Sequence, residues 1–263
     1  MEILQAIILG VVQGFTEFLP VSSSAHLVII PKVMGWSEQP LFFDILVHGG
    51  TLVAIISYYR HRIVDIVKEL FGQDRQRRRI QLGLFRNLIL TTIPTIIAFI
   101  FVKDFLDNKF QSVNIIIFSL IIWGMLLIIA DLYSKRREVS NPLDAYRAAF
   151  IGIGQGLSLI RGVSRSGAMI TLGLFSGVER KALVEYVFLA GIPVIMAGLF
   201  LEIYEYSHLI SLQTIPSMLA GFVSSLLSGL IAIKLIDRLI EKNLLLYSGI
   251  YRIILAIILI VFL

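Results

Sequence analysis

Six apolar runs, at about 41–59, 87–102, 113–130, 183–201, 213–235 and 245–263, each approach the roughly 20 residues a helix needs to cross the hydrocarbon core of a bilayer. Two further apolar regions, about 2–34 and 145–176, are interrupted near their centres, at Leu19-Pro20 and at Arg161-Gly162. Proline removes a backbone donor and drives the residue before it out of the helical region, and glycine accepts the dihedrals of a sharp reversal. Each interrupted region therefore predicts a helical hairpin that dips into the membrane and turns back. The pattern as a whole predicts an all-α polytopic membrane protein, with six transmembrane helices and two re-entrant helical hairpins in a single membrane domain, 1–263.

Composition agrees, with 57% hydrophobic residues and a mean hydropathy of +0.87. The first run has no basic leader and continues into Gln13, Glu17 and Pro20, so no cleavable signal peptide is expected. Cysteine is absent, which excludes disulfides, thiolate metal sites and cysteine nucleophiles. The net charge of +5 does not point to nucleic acid, because the lysines and arginines sit in short connections between apolar runs. Their distribution reads as orientation instead. The 60–86 connection carries Arg60, Arg62, Lys68, Arg75, Arg77, Arg78, Arg79 and Arg86, and the 131–147 connection carries Lys135, Arg136, Arg137 and Arg147, so both are expected in the cytoplasm. The weakly charged 103–112 and 202–212 connections are expected outside. With alternating spans, the first hairpin then enters from the outer face and the second from the cytoplasm.

Displacing the sequence against itself by 142 positions aligns the two interrupted regions. Six of nineteen positions coincide between 10–28 and 152–170, namely Gly10/Gly152, Gln13/Gln155, Gly14/Gly156, Val21/Val163, Ser22/Ser164 and Ser24/Ser166. Such self-similarity predicts two structural repeats, about 1–130 and 143–263. Repeats separated by an odd number of spans face opposite ways, an inverted repeat whose hairpins meet near the midplane.

The chemistry lies where the repeats differ. The first has Glu17, Ser23 and His26 where the second has Leu159, Arg165 and Ala168. Gln13 and Glu17 share one face of the entering helix, and Ser23 and His26 share a face of the returning one. Ser22, Ser23, Ser24, Ser164 and Ser166 suit helix N-caps, and two helix N-termini facing each other form an anion site. Capping a bend explains each serine equally well. Glu17, Arg165 and Arg252 are intramembrane charges, which ordinarily face a polar cavity and a partner. A purely structural Glu17–Arg165 pair is the alternative. Asp44 and His48, four apart, could stand behind the site, with a helix pair bonding each other the nearer reading. Neither a P-loop nor an HExxH motif occurs.

QGFTEFLPVSSSAHL, from Gln13, and GVSRSGAM, from Gly162, resemble the signature segments of the undecaprenyl-pyrophosphate phosphatase family, also called the bacitracin-resistance family. YRAAFIGIGQGLSL before the second segment and YRIIL near the end extend the resemblance along the chain. It implies a plasma-membrane enzyme hydrolysing undecaprenyl pyrophosphate to the monophosphate and phosphate, recycling the lipid carrier for cell-wall synthesis, with the site opening to the outer face. It further implies that Gln13 and Glu17 bind a divalent metal, Mg²⁺ or Ca²⁺, together with the pyrophosphate. Ser23 would be the nucleophile unless water attacks directly, His26 an acid/base or positioning group, and Arg165 a catalytic phosphate ligand. Ser22, Ser24, Ser164, Ser166 and Arg252 would bind substrate. The expected partners are the polyprenyl lipid and the bilayer, with no nucleic acid and a homodimer left open. Inverted repeats also build transporters, so flipping of a polyprenyl phosphate is the competing expectation. Arg161 stands where the family pattern has proline, and Met169 where it has threonine. Threonine at 169 should be tolerated if that position faces the cavity.

Overall fold

The computed structural model describes residues 1–37, 41–106, 112–136, 142–206 and 214–262. In chain order its helices are α1 (Ile3–Phe18), α2 (Ser23–Val33), α3 (Leu41–Tyr58), α4 (Arg60–Phe71), α5 (Arg75–Leu106), α6 (Val113–Lys135), α7 (Ala145–Leu157), α8 (Arg165–Phe175), α9 (Arg180–Tyr206), α10 (Ile215–Leu239) and α11 (Leu244–Phe262). There is no strand among the described residues. Helices α5, α6, α9, α10 and α11 are each long and apolar enough to cross a membrane, and α3 with α4 makes a sixth if that pair, bent by 65°, is taken as one span. The chain is a multi-pass membrane protein. The expected outer connections, 103–112 and 202–212, lie largely outside the described residues.

The 60–86 connection is itself mostly helical, formed by α4 and the first turns of α5. Helix α4 has no buried residue and carries Arg60, Arg62, Lys68 and Glu69 on a surface-lying turn sequence. Asp74 then opens α5 early, its carboxylate accepting from the N–H groups of Gln76 (2.9 Å) and Arg77 (3.2 Å). Arginine and glutamine are good helix formers, so a capped basic segment continues the helix outward from the apolar run.

Both interrupted regions break where the sequence pattern puts them. α1 stops at Phe18, Leu19 turns extended ahead of Pro20, and α2 begins at Ser23. α7 stops at Leu157 and α8 begins at Arg165, with Gly162 at φ 92° between them. Helices α2 and α8 are each 11 residues long, and their first residues are 142 apart. Ser22 (φ 76°) and Ser164 (φ 68°), also 142 apart, are the only non-glycine residues with positive φ among those described. That conformation costs an L-residue about 1–3 kcal/mol, so two such serines persist only where the surroundings hold them.

The glycines common to both regions explain how the hairpins are seated. Gly10 and Gly14 press α1 against α10, where a Cβ on Gly14 would meet the Ser228 hydroxyl and lie 2.5 Å from the Ser225 carbonyl. Gly152 and Gly156 press α7 against α5, where a Cβ on Gly152 would lie 2.7 Å from the Thr91 carbonyl. In lipid, where packing replaces the hydrophobic effect between helices, such small residues allow close backbone approach. The end of α1 is further anchored by Phe18, wholly buried with its ring edge-on to Phe188 of α9 at 5.3 Å. Nearer the basic connections, the buried carboxylate of Asp131 on α6 accepts from Arg180 of α9 (2.5 Å) and from Lys135 (2.7 Å).

Candidate active site

Glu17 occupies the last turn of α1, only 8% exposed, and three other elements converge on its carboxylate. Oε1 accepts from Arg165 Nη2 at 2.8 Å, and Oε2 accepts from Ser23 Oγ at 2.7 Å and from Gln13 Nε2 at 3.0 Å. His48 Nε2 of α3 lies 3.7 Å from Oε2. Ser23 and Arg165 are the first residues of α2 and α8, so three of the residues that differ between the two interrupted regions, Glu17, Ser23 and Arg165, meet at one carboxylate. Ser23 and Arg165 each also sit where a helix leaves N–H groups unsatisfied and its dipole is positive.

Arg165 is held on its other side, Nη1 donating to the Gly191 carbonyl of α9 at 3.1 Å. A Cβ on Gly191 would lie 2.5 Å from Nη1 and 2.9 Å from Cζ. Glycine is needed there because the guanidinium packs directly on the backbone.

The flanking serines cross-link the two breaks. Ser24 Oγ accepts from the Gly162 N–H at 3.5 Å and Ser166 Oγ donates to the Glu17 carbonyl at 3.3 Å. Ser164 Oγ caps α8 through the Gly167 N–H at 3.2 Å and lies 3.4 Å from Ser166 Oγ, while Ser22 Oγ pairs with Ser24 Oγ at 3.3 Å.

His26 faces away from this cluster. Its Nδ1 is 2.7 Å from the Ser22 carbonyl and its Nε2 is 2.7 Å from the Tyr251 hydroxyl of α11, with the two ring planes 6° apart. A carbonyl can only accept, so Nδ1 carries the proton and neutral Nε2 accepts from tyrosine. Both ring nitrogens are thereby engaged away from Ser23. Arg252, expected as a phosphate ligand, is wholly buried on backbone carbonyls. Its Nη1 donates to Pro20 (3.3 Å) and its Nη2 to Gly162 (2.7 Å), Val163 (3.1 Å) and Ser119 (3.4 Å). One guanidinium thus satisfies carbonyls that both breaks leave without helical partners.

His48 bonds the Asp44 main-chain carbonyl at 2.7 Å and turns its other nitrogen toward Glu17, so it pairs along its helix and also stands beside the site. One sequence reading is corrected. Met169 is wholly buried in the main apolar cluster with Ile170 and Leu174, so position 169 does not face a polar cavity. Tyr251 was not singled out at all. Its only signal is its place beside the intramembrane Arg252.

The residues present suit a divalent cation that arrives with its substrate. Among the described residues no three His, Asp or Glu side chains form a preformed cage. Gln13 Oε1, however, is buried without a partner one turn from the Glu17 carboxylate. Mg²⁺ commonly takes one or two carboxylates and completes its shell with water and substrate phosphate oxygens.

The sequence profile of the bacitracin resistance protein BacA family matches residues 6–258. The chain belongs to this family. It is similar to undecaprenyl-diphosphatase from Marinobacter nauticus, 37% identical over 257 residues and covering 97% of each chain. Undecaprenyl-diphosphatase 1 from Pseudoalteromonas translucida is 38% identical over 269 residues, covering 100% of this chain and 99% of that one. Undecaprenyl-diphosphatase from Moorella thermoacetica is 36% identical over 258 residues, covering 97% and 96%. Family membership therefore spans both interrupted regions and α11.

Proposed function

We propose that this chain is an integral membrane phosphatase that hydrolyses undecaprenyl diphosphate to the monophosphate and inorganic phosphate in the plasma membrane, at a site open to the outer face. The observation that carries this reading is the convergence of a hydroxyl, an arginine and two helix N-termini on the single buried carboxylate of Glu17. The name its relatives carry, undecaprenyl-diphosphatase, supplies the substrate. The two halves are inverted repeats, 1–130 and 143–263, and α1–α2 and α7–α8 are re-entrant hairpins entering from opposite faces. The 142-residue spacing of the strained serines and of the seating glycines supports that reading.

Phosphoryl transfer asks the protein mainly to position groups and neutralise charge. The terminal phosphate enters between the N-termini of α2 and α8, and the planar fork of Arg165 passes from Glu17 to two non-bridging oxygens. Glu17 takes the Ser23 proton along the hydrogen bond already present, and Ser23 Oγ bonds the phosphorus as its bond to the bridging oxygen breaks. Glu17 passes that proton to the bridging oxygen as the lipid monophosphate leaves; water then attacks the phosphoserine, Glu17 taking its proton and returning it to Ser23 Oγ as the serine–phosphorus bond breaks. His26 and Tyr251 fix the Ser22 carbonyl, and so the start of α2. Arg252 locks the two breaks together. A Mg²⁺ or Ca²⁺ ion would be held by Glu17 and Gln13 Oε1 and would offset charge on the pyrophosphate oxygens.

The direct test is phosphate release from undecaprenyl diphosphate by the purified protein in detergent. Equimolar monophosphate and inorganic phosphate are expected, with loss of release in Arg165→Lys because an ammonium lacks the bidentate fork. A folded protein that releases no phosphate from the lipid would reject the assignment.

A further inference from the structure

An apolar groove of about 610 Å³ lies between α4, α5 and α9, within the size range of small-molecule sites, roughly 300–1,000 Å³. Ile63 and Val67 of α4, Phe85, Ile89 and Ile93 of α5 and Ile192 of α9 line it. The one hydroxyl in its wall, that of Thr92, turns back to the Leu88 carbonyl at 2.8 Å, so no free polar group faces the groove. It therefore suits hydrocarbon chains and nothing more polar.

What stands above the groove identifies the occupant. Phe85, Ile89 and Ile93 lie on one stripe of α5, and the same stripe runs back through Leu82 to Arg78 and Arg75 at helical spacing. Both arginines are exposed and make no ion pair among the described residues, whereas the neighbouring Arg77 is taken up by Glu69 and Asp74. Two unpaired guanidinium groups, about two and three helical turns before Phe85 on the stripe that lines a wholly apolar trough, complement an anionic head on a pair of acyl chains. We propose that this groove is a binding site for an anionic glycerophospholipid, with its acyl chains along α5 and its phosphate against Arg75 and Arg78, in the leaflet that faces the arginine-rich connection. None of the residues lining the groove is among those that meet at Glu17, although Ile192 adjoins Gly191, and the proposal does not rest on the hydrolytic reading.

The test uses the full chain with Phe85→Trp as reporter and Trp36→Phe and Trp123→Phe to remove the other indoles. It is reconstituted in phosphatidylcholine vesicles containing acyl-brominated phosphatidylglycerol or acyl-brominated phosphatidylcholine. Half-maximal quenching by the anionic lipid is expected at a mole fraction lower by about tenfold or more, since each basic side chain at an anionic surface contributes roughly fivefold. Adding Arg75→Gln and Arg78→Gln should bring the two lipids within about twofold of each other while leaving phosphate release unchanged. Equal quenching by both lipids with the arginines intact would overturn the proposal, as would a preference that survives their removal. Relief of quenching by stoichiometric undecaprenyl diphosphate would make the groove a substrate-tail site and overturn it too. If the reporter chain does not fold, retention of phosphatidylglycerol over phosphatidylcholine by the unaltered protein in native mass spectrometry reads the same preference, and equal retention rejects it.

Discussion

The Glu17 carboxylate is shared by Ser23 and Arg165, so a change at any of the three disturbs the others, and the informative substitutions are those that preserve shape. Ser23→Ala should abolish turnover by removing the nucleophile, and Glu17→Gln should lower kcat by about 10²–10⁴-fold, the range for losing a proton-transfer partner, with both proteins still folded. Turnover of Ser23→Ala near the parent value would transfer the attack to water. Tyr251→Phe should cost no more than about tenfold and His26→Ala no more than about a hundredfold, because the first removes one and the second two neutral hydrogen bonds, each worth roughly 0.5–1.5 kcal/mol, that only orient the start of α2. A His26→Ala loss as deep as that of Ser23→Ala would return the imidazole to the chemistry. Glu17, Ser23 and Arg165 were legible in the sequence because charge and hydroxyl in an apolar run are conspicuous. The partners of His26 and Arg252 were not. They depend on where α11 lies, and no local spacing encodes a hydrogen bond spanning 225 residues. Met169 misled for the opposite reason, since a motif position says nothing of which way its side chain packs.

At the scale of elements, the hairpins owe their position to contacts that only hydrogen-sized side chains allow. A methyl on Gly14 would press on the Ser225 carbonyl at 2.5 Å, one turn before Glu17, while one on Gly198 would meet nothing within 4 Å. Gly14→Ala should therefore destabilise the fold by about 1–3 kcal/mol, as overpacking does, and reduce kcat by displacing the carboxylate. Gly198→Ala should be neutral or stabilising by up to about 1 kcal/mol through helix propensity. Thermal unfolding in detergent, read beside phosphate release, separates the two, and equal effects at both positions would show that backbone entropy rather than contact governs. The repeat of Gly10 and Gly14 as Gly152 and Gly156 was visible in the sequence. Its reason, a hairpin arm seated on a long helix, needed the helices that receive it, α10 and α5. Helix α4 escaped notice because a basic amphipathic segment without a buried face looks like a charged linker when only spans are being counted.

The whole molecule turns on which elements cross the bilayer and which turn back inside it. Apolar run length located α5, α6, α9, α10 and α11, and α3 only as part of a bent pair with α4, since crossing a fixed thickness leaves a fixed signature. Re-entry has no such signature of its own, and follows only from the breaks and from the charge balance around them. The absence of cysteine makes the arrangement open to single introduced thiols at exposed positions. Gln76→Cys at the start of α5 should react with an impermeant reagent only after the membrane is opened, because it lies in a basic connection, and Lys242→Cys in the α10–α11 turn should do the same, because alternating spans put that turn on the same side. Ser112→Cys, at the cap of α6, should react in intact cells. Re-entry itself is tested by the two ends of each hairpin. Glu2→Cys and Met34→Cys flank α1–α2 and should both react from outside, whereas Tyr146→Cys and Glu179→Cys flank α7–α8 and should both be reached only from the cytoplasm. If the two ends of either hairpin react from opposite sides, that pair of helices crosses fully, every later span reverses, and α2 and α8 no longer bring their N-termini together from opposite faces. The inverted repeat would then be wrong, and the meeting of Ser23 and Arg165 on Glu17 would need another origin.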